Sequence, residues 1–274
     1  MATHARHRLV DADRPLAYHV VSRCVRREWL LGQDPRTGQD HSHRKPWVSE
    51  RALGLSSLFA VALDAFAVMS NHFHLVLLHD PKASERWRPE TVARRYTEAF
   101  PPRSADGAVE WERLAEAAEM LLDDERRLAR ARKVLGSLSW FMRHLKQPIA
   151  RRANREEGCT GHFFEQRFFS GPLRATEDVV ATMCYVDLNP VRAGIAQRLE
   201  DCDHTSIALR LRRGTNATEP LRPLASGLAD DGVPAPRLEI SFGDYMNGAS
   251  ALLAEHLELQ RLRGEPPQSR GDDA

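Results

Sequence analysis

Residues 69–78 read MSNHFHLVLL, an apolar run that carries two histidines spaced two apart. On an extended strand, residues two apart point the same way. His72 and His74 then project from one face, and Phe73, Leu75 and Leu77 from the other. Two imidazoles on one face can converge on a single divalent ion. Imidazole suits several first-row metals, and an added amide or carboxylate oxygen with open water positions admits Mg²⁺ or Mn²⁺. Such an ion polarises a phosphoryl oxygen and stabilises the charge that develops in phosphoryl transfer. The plainer alternative is a pair of core-edge histidines held by hydrogen bonds. The chain supplies its own control in His41-Ser42-His43, which has the same spacing but lies in a polar stretch beside Asp40, Arg44 and Lys45. That second pair reads as solvated loop.

Outward from this run, residues 59–69 form a second apolar stretch joined to it through Ser70-Asn71, a hairpin without an Asn-Gly turn. Residues 17–25, AYHVVSRCV, are β-branched and partly alternating, as a strand requires. Residues 47–58 have helical spacing, and residues 85–100 form a helix stopped by Pro101-Pro102. Residues 109–145 are long, charged and amphipathic, with a break at Gly136. Pro148 suits the first turn of a further helix running to Gly158. Residues 162–173, HFFEQRFFSGPL, are strand-like, and a helix runs from Thr176 to Asn189-Pro190. Residues 215–237 read as a mobile, Pro- and Gly-rich segment, and the last dozen residues as disordered. The order predicts an α+β domain with a small antiparallel sheet.

The chain has 274 residues, 42% hydrophobic and 28% charged, which suits one large domain with additions. No apolar run approaches the roughly 20 residues that span a bilayer, and the first fifteen residues lack the apolar core of a secretory signal. Cys24, Cys159, Cys184 and Cys202 form no C-x-x-C pair and read as small hydrophobes in a reducing compartment. A cytoplasmic protein is expected. Net charge is only +1, but cations gather locally: Arg143, Lys146, Arg151, Arg152 and Arg155 with no acid until Glu156; Arg23, Arg26 and Arg27; and Arg210, Arg212 and Arg213. Such clusters can contact phosphates in a near-neutral chain, or be solvated helix faces.

Four separated motifs, in order, carry a resemblance: YHVVSR (18–23), AVMSNHFHLVL (67–77), GHFFEQRFFS (161–170) and YVDLNPVRAG (185–194). They resemble the HUH single-tyrosine transposases, in the branch that includes the REP-associated tyrosine transposases. The likeness covers residues 10–210, with a helical insertion at about 85–147, and leaves residues 211–274 as a variable, partly disordered C-terminal extension. It implies a ferredoxin-like α+β core around an antiparallel sheet, Mg²⁺ or Mn²⁺ at His72 and His74, and single-stranded DNA with a nearby hairpin as substrate. In that family a tyrosine on the helix before the Gly-His-aromatic motif attacks the scissile phosphate, leaving a 5′-phosphotyrosine and a free 3′-hydroxyl.

The helix in question reads KQPIARRANREEG (146–158) and contains no tyrosine; Ile149 and Arg152 stand where one is expected. The whole chain has Tyr18, Tyr96, Tyr185 and Tyr245. The first substitute is Tyr185, which reaches the histidines if its helix packs beside their strand; a tyrosine from a second subunit, in a homodimer, is the other. Asn154 is either a third metal ligand through its amide oxygen or a cap at the helix end. Glu165 and Gln166 order a metal-bound water or pair with Arg167. Arg192 reaches a phosphate or pairs with Asp187. The expected DNA contacts are Arg23, Arg143, Lys146, Arg151, Arg152, Arg155, Arg167 and Arg192, with the 143–155 cluster near the metal. Three functions compete: metal-dependent cleavage and rejoining of DNA strands in transposition, a catalytically impaired descendant that binds a DNA hairpin, and a nuclease using activated water.

Overall fold

The computed structural model describes Asp11 and residues 13–229 and 236–262. Its sheet is built from β1 (Leu16–Arg23), β2 (Val61–Val68), β3 (His72–His79), β4 (Phe169–Leu173) and β5 (Ala225–Ser226), in the order β4-β1-β3-β2-β5, every neighbour antiparallel. α1 (Lys45–Ser56) joins β1 to β2, and α6 (Leu138–Glu156) precedes β4. This is the ferredoxin-like split βαβ arrangement expected of the chain, with β5 added beside β2. Between β3 and α6 lie α2 (Ala83–Arg86), α3 (Pro89–Ala99), α4 (Leu114–Leu122) and α5 (Glu125–Leu135). After β4 come α7 (Thr176–Asp187), α8 (Asn189–Arg192), α9 (Ser206–Arg212) and α10 (Phe242–Leu262). No described helix is long and apolar enough to cross a membrane.

The sheet is covered on both faces. Tyr18, Val20, Phe73, Leu75 and Leu77 pack with Phe141, Leu145, Ile149 and Ala153 of α6. Ala65, Ala67 and Val76 pack instead with Val179, Met183 and Val186 of α7 and with Phe242, Tyr245 and Ala249 of α10. Two-sided burial explains why β2, VALDAFAV, is buried at all eight positions and shows no polar alternation. Asp64 sits at a register shift in β2, where its carbonyl accepts a hydrogen bond from Arg210 Nη2 at 2.8 Å.

Pro148 does not begin a helix; it lies inside α6, which starts at Leu138 behind Ser137, whose side chain caps Trp140 N–H. A proline in mid-helix leaves the carbonyl four residues back without its N–H donor. That carbonyl, on His144, accepts instead from Arg51 Nε at 2.6 Å. Tertiary contact thus compensates what the local rule forbids. Gly136 does mark the break before α6, and a Cβ there would lie 2.9 Å from the Pro81 carbonyl oxygen. The charged stretch breaks a second time at Asp124, which caps α5 by accepting from Arg127 N–H.

The 215–237 stretch, read as mobile, contributes β5, and Gly227 N–H donates to the Val61 carbonyl at 2.9 Å. Its residues 230–235, and the last dozen residues of the chain, lie outside the described residues. The His41/His43 pair is not simply solvated. His43 Nε2 meets Glu156 Oε1 at 2.9 Å, and Arg44, fully buried, donates to Glu156 (2.9 Å), Glu157 (2.6 Å) and the Leu30 carbonyl (3.1 Å). These contacts fasten the end of α6 to the loop after β1.

Candidate active site

His72 and His74 lie on β3 with His74 opposite Val21 and Ala67, on the α7 face of the sheet. Phe73 between them points to the α6 core. Both histidines are buried, 4% and 5% exposed, and their Nε2 atoms converge to 2.8 Å. Asn71 sets the proton positions. Its Nδ2 donates to the Arg27 carbonyl at 3.4 Å, which turns its Oδ1 onto His72 Nδ1 at 2.6 Å. His72 therefore carries its proton on Nδ1 and accepts at Nε2. His74 must donate from Nε2, and its Nδ1 accepts from His19 Nε2 at 2.8 Å. The result is a directed chain of three neutral imidazoles ending on an amide.

Neutrality follows from the surroundings. Burial pushes His19 down to about 4. Burial, and then the nearby Arg23 and Arg27, push His72 to about 4. His74 is held well below the ordinary histidine value by burial first and by its two histidine neighbours next. Neutral imidazole is the form that ligates metals. His72 donating to Asn71 is the outer-sphere arrangement that orients a metal-binding histidine. The donor set thus fits a divalent ion at the two Nε2 atoms, once the proton between them has moved. No group of three or more His, Cys, Asp or Glu able to hold an ion occurs among the described residues.

Tyr185 stands beside His74 and His19. It is half-buried on α7, its ring 6.0 Å from that of His74 and 6.1 Å from that of His19, both edge-on. Arg192 lays its guanidinium 5.0 Å above the same ring. Tyr185 and Arg192 also line a cleft of about 560 Å³ closed by Leu252, Leu253 and His256 of α10. The other tyrosines are committed elsewhere. Tyr18 is fully buried on the α6 side and accepts from Asp11 N–H. Tyr96 stacks on Phe100, 4.6 Å between rings. Tyr245 is buried and donates to Asp187.

The structure separates the remaining expected residues into two groups. Arg23, opposite His72 in the β1–β3 register, and Arg192 lie with the histidines and Tyr185. Arg143, Lys146, Arg151, Arg152 and Arg155 belong to α6, on the other side of the sheet, so the placement of this cluster near the histidine pair fails. Asn154 belongs there too; it donates to the Gly161 carbonyl at 3.0 Å and does not reach His72 or His74. Arg152 packs on Trp47, 3.8 Å from the ring, and Lys146 donates to the Glu165 carbonyl at 2.8 Å. Glu165 and Gln166 face a groove beside α6 rather than the histidines, and Arg167 is exposed. Arg192 does not pair with Asp187, which is buried and accepts from Ser206, Ile207 and Tyr245. The third arginine cluster is structural: Arg210 is buried and Arg212 pairs with Asp203.

Two participants escaped the sequence reading. Asn71 stood next to the pair in the quoted run, where it was read only as part of a turn. His19 sits in the YHVVSR motif on an alternating strand, but only the β1–β3 register shows that it meets His74.

No family model matches the chain, and no curated protein does. Among solved structures, a REP-associated tyrosine transposase bound to a REP hairpin is similar to it over 86% of this chain and 98% of that one, at 14% identity and a TM-score of 0.44.

Proposed function

We propose that this chain is a metal-assisted, single-stranded-DNA strand transferase of the HUH type, with His72 and His74 holding Mn²⁺ or Mg²⁺ and Tyr185 as the nucleophile. The observation that carries the reading is the meeting of Tyr185 with His74, whose Nε2 converges on that of His72, while the three other tyrosines are held elsewhere. The four ordered motifs that resemble the family support the substrate. Two imidazoles favour Mn²⁺ over the oxygen-seeking Mg²⁺. When bound, the ion supplies charge stabilisation to a phosphoryl oxygen.

The protein's own residues do the rest. His19 and His74 each move their proton from Nε2 to Nδ1, so that His74 Nδ1 donates to His19 Nε2 and the Nε2 lone pairs of His72 and His74 face one point. Arg23 and Arg192 hold backbone phosphates beside the pair. The Tyr185 oxygen forms a bond to phosphorus as the bond from phosphorus to the 3′ oxygen breaks. The phenol proton ends, net, on that 3′ oxygen. Energy stays in the phosphotyrosine link, so the strand can be rejoined by reversal.

A second reading has its own support: α6 presents Ile149, 3% exposed, and Arg152 where the family has its tyrosine, which suits a hairpin-binding descendant that no longer cuts. Labelled single-stranded hairpin DNA with Mn²⁺, read on a denaturing protein gel and a sequencing gel, separates these. The proposal predicts a covalent adduct that Tyr185→Phe removes. Cleavage without an adduct indicates an activated-water nuclease, and binding without cleavage indicates the descendant.

A further inference from the structure

The basic helix α6 and the aromatic segment before β4 enclose a groove of about 690 Å³ on the face of the sheet opposite the histidines. Its size lies within the roughly 300–1,000 Å³ of clefts that hold small organic groups. Its floor is aromatic, with Phe163, Phe164 and Phe168 all less than 10% exposed. Its wall carries Arg143, Lys146 and Arg151 against a single acid, Glu165. The Arg143 guanidinium carbon lies 4.9 Å from the Trp140 ring centre, and the His144 ring is 5.8 Å from that of Trp140 and nearly parallel to it. His144, Trp140 and Arg143 thus cluster beside the groove, with the Arg143 side chain exposed.

We infer that this groove binds an unpaired nucleotide of single-stranded DNA, the base stacking on the Arg143–Trp140 pair and the phosphate meeting Arg151. The inference rests on the single-stranded-DNA reading proposed above and adds a second contact site to it. Unpaired bases stack on aromatic rings and on guanidinium planes, and cations beside them track the backbone. The groove also connects to the histidine face. Phe168 lines it, whereas the next residue, Phe169, is 55% exposed and lies 6.3 Å from the His19 ring. Both belong to the edge of the sheet at β4, so one strand of DNA passing around that edge meets the groove first and the His72/His74/Tyr185 face second.

The test is fluorescence anisotropy of a labelled twelve-nucleotide oligodeoxythymidylate with the full chain in EDTA, across a salt series. Arg143→Lys keeps the charge and removes the plane. It should weaken binding about fivefold or more with the salt slope unchanged, as loss of a stacked base does. Arg151→Ala should lower the slope by about 0.7 for the one phosphate released. Because Arg143 and Arg151 are exposed, these variants keep the fold, and a 5-iodouracil version of the oligonucleotide should crosslink to Trp140. If the wild type binds and Arg143→Lys and Arg151→Ala bind equally well, the groove is not a nucleotide site and the transferase proposal stands. Absence of wild-type binding at every salt concentration overturns both.

Discussion

The α7 face and the α6 face of the sheet divide the chemistry between them. On the α7 face, three neutral histidines and one half-buried tyrosine cluster together with two arginines beside them. On the α6 face, the cations are more numerous but rest on aromatic rings at the surface, and the core beneath them is hydrocarbon. The first arrangement suits bond making, where neutral ligands and a held phenol are needed. The second suits holding a flexible anionic chain. Where the transposases that this chain's motifs resemble carry a tyrosine, α6 has Ile149 and Arg152, and the tyrosine proposed here comes from the opposite layer.

The largest effect that breaks or sharpens this contrast is catalytic. Tyr185→Phe should lower adduct formation by at least about 1,000-fold, the scale on which loss of a nucleophile is felt. Adding Ile149→Tyr to that variant should not restore it, because position 149 points into the α6-side core. The enlarged side chain should instead cost about 1–3 kcal/mol by urea denaturation. Recovery of the adduct in the double variant would return the chemistry to α6.

Next in size is stability. Asp187 is fully buried under α7 and accepts from Ser206, Ile207 and Tyr245, so Asp187→Ala strands three donors. A loss of about 3–5 kcal/mol is expected in urea denaturation. Arg44→Met on the α6 side frees Glu156 and Glu157, which are 37% and 32% exposed and can be rehydrated, so its cost should be smaller, about 1–3 kcal/mol. Equal losses would mean that the two faces are equally dependent on buried polar networks.

Smaller again is the acid response. His19 and His72 have folded values of about 4, below the ordinary value of 6.5. Their contribution to stability is complete above about pH 6.5 and is lost as pH falls toward 4, because the unfolded chain takes up protons first. Asp64 works against this: burial raises it to about 7, so its folded form gains stability as pH falls from there. Asp64→Asn should therefore steepen the acid loss measured by thermal melting between pH 7 and 4, and His19→Asn should flatten it. A melting temperature flat over this range in both variants would contradict the neutral histidine chain.

The smallest expected effect concerns His19 as a positioning residue. His19→Phe should weaken Mn²⁺ binding by about 10–100-fold, as loss of an outer-sphere partner does. It should also change the ¹⁵N tautomer signals of His74, which a purely packing role would leave alone. His74→Ala should remove the melting-temperature rise that saturating Mn²⁺ gives, about 2.7 kcal/mol of stabilisation at 100 times the dissociation constant.

Much of the fold was legible because local pattern and tertiary structure agree. The 69–78 run placed β3 and put His72 and His74 on one face, the element order gave an α+β domain with an antiparallel sheet, and the family resemblance implied its ferredoxin-like core. What was hidden depends on partners distant in sequence. Pro148 looked like a helix start because Arg51, which serves the carbonyl that the proline leaves unpaired, lies 93 residues from His144. Periodicity cannot say on which face a helix packs, so Asn154 and the α6 arginines were assigned to the wrong side. Polar composition concealed β5 because two residues suffice to pair with an already buried strand. Tyr185 was nameable only as a substitute, since its closeness to His74 needs α7 to lie across β3.

The proposed chemistry is tested most directly by the identity of the residue that becomes linked to DNA. Full-length protein incubated with a 3′-labelled single-stranded hairpin and Mn²⁺, digested with trypsin and nuclease, and mapped by mass spectrometry should carry the nucleotide on Tyr185, in the peptide that ends at Arg192. Nucleotide mass on Tyr96, or a covalent adduct that persists in Tyr185→Phe, would contradict it.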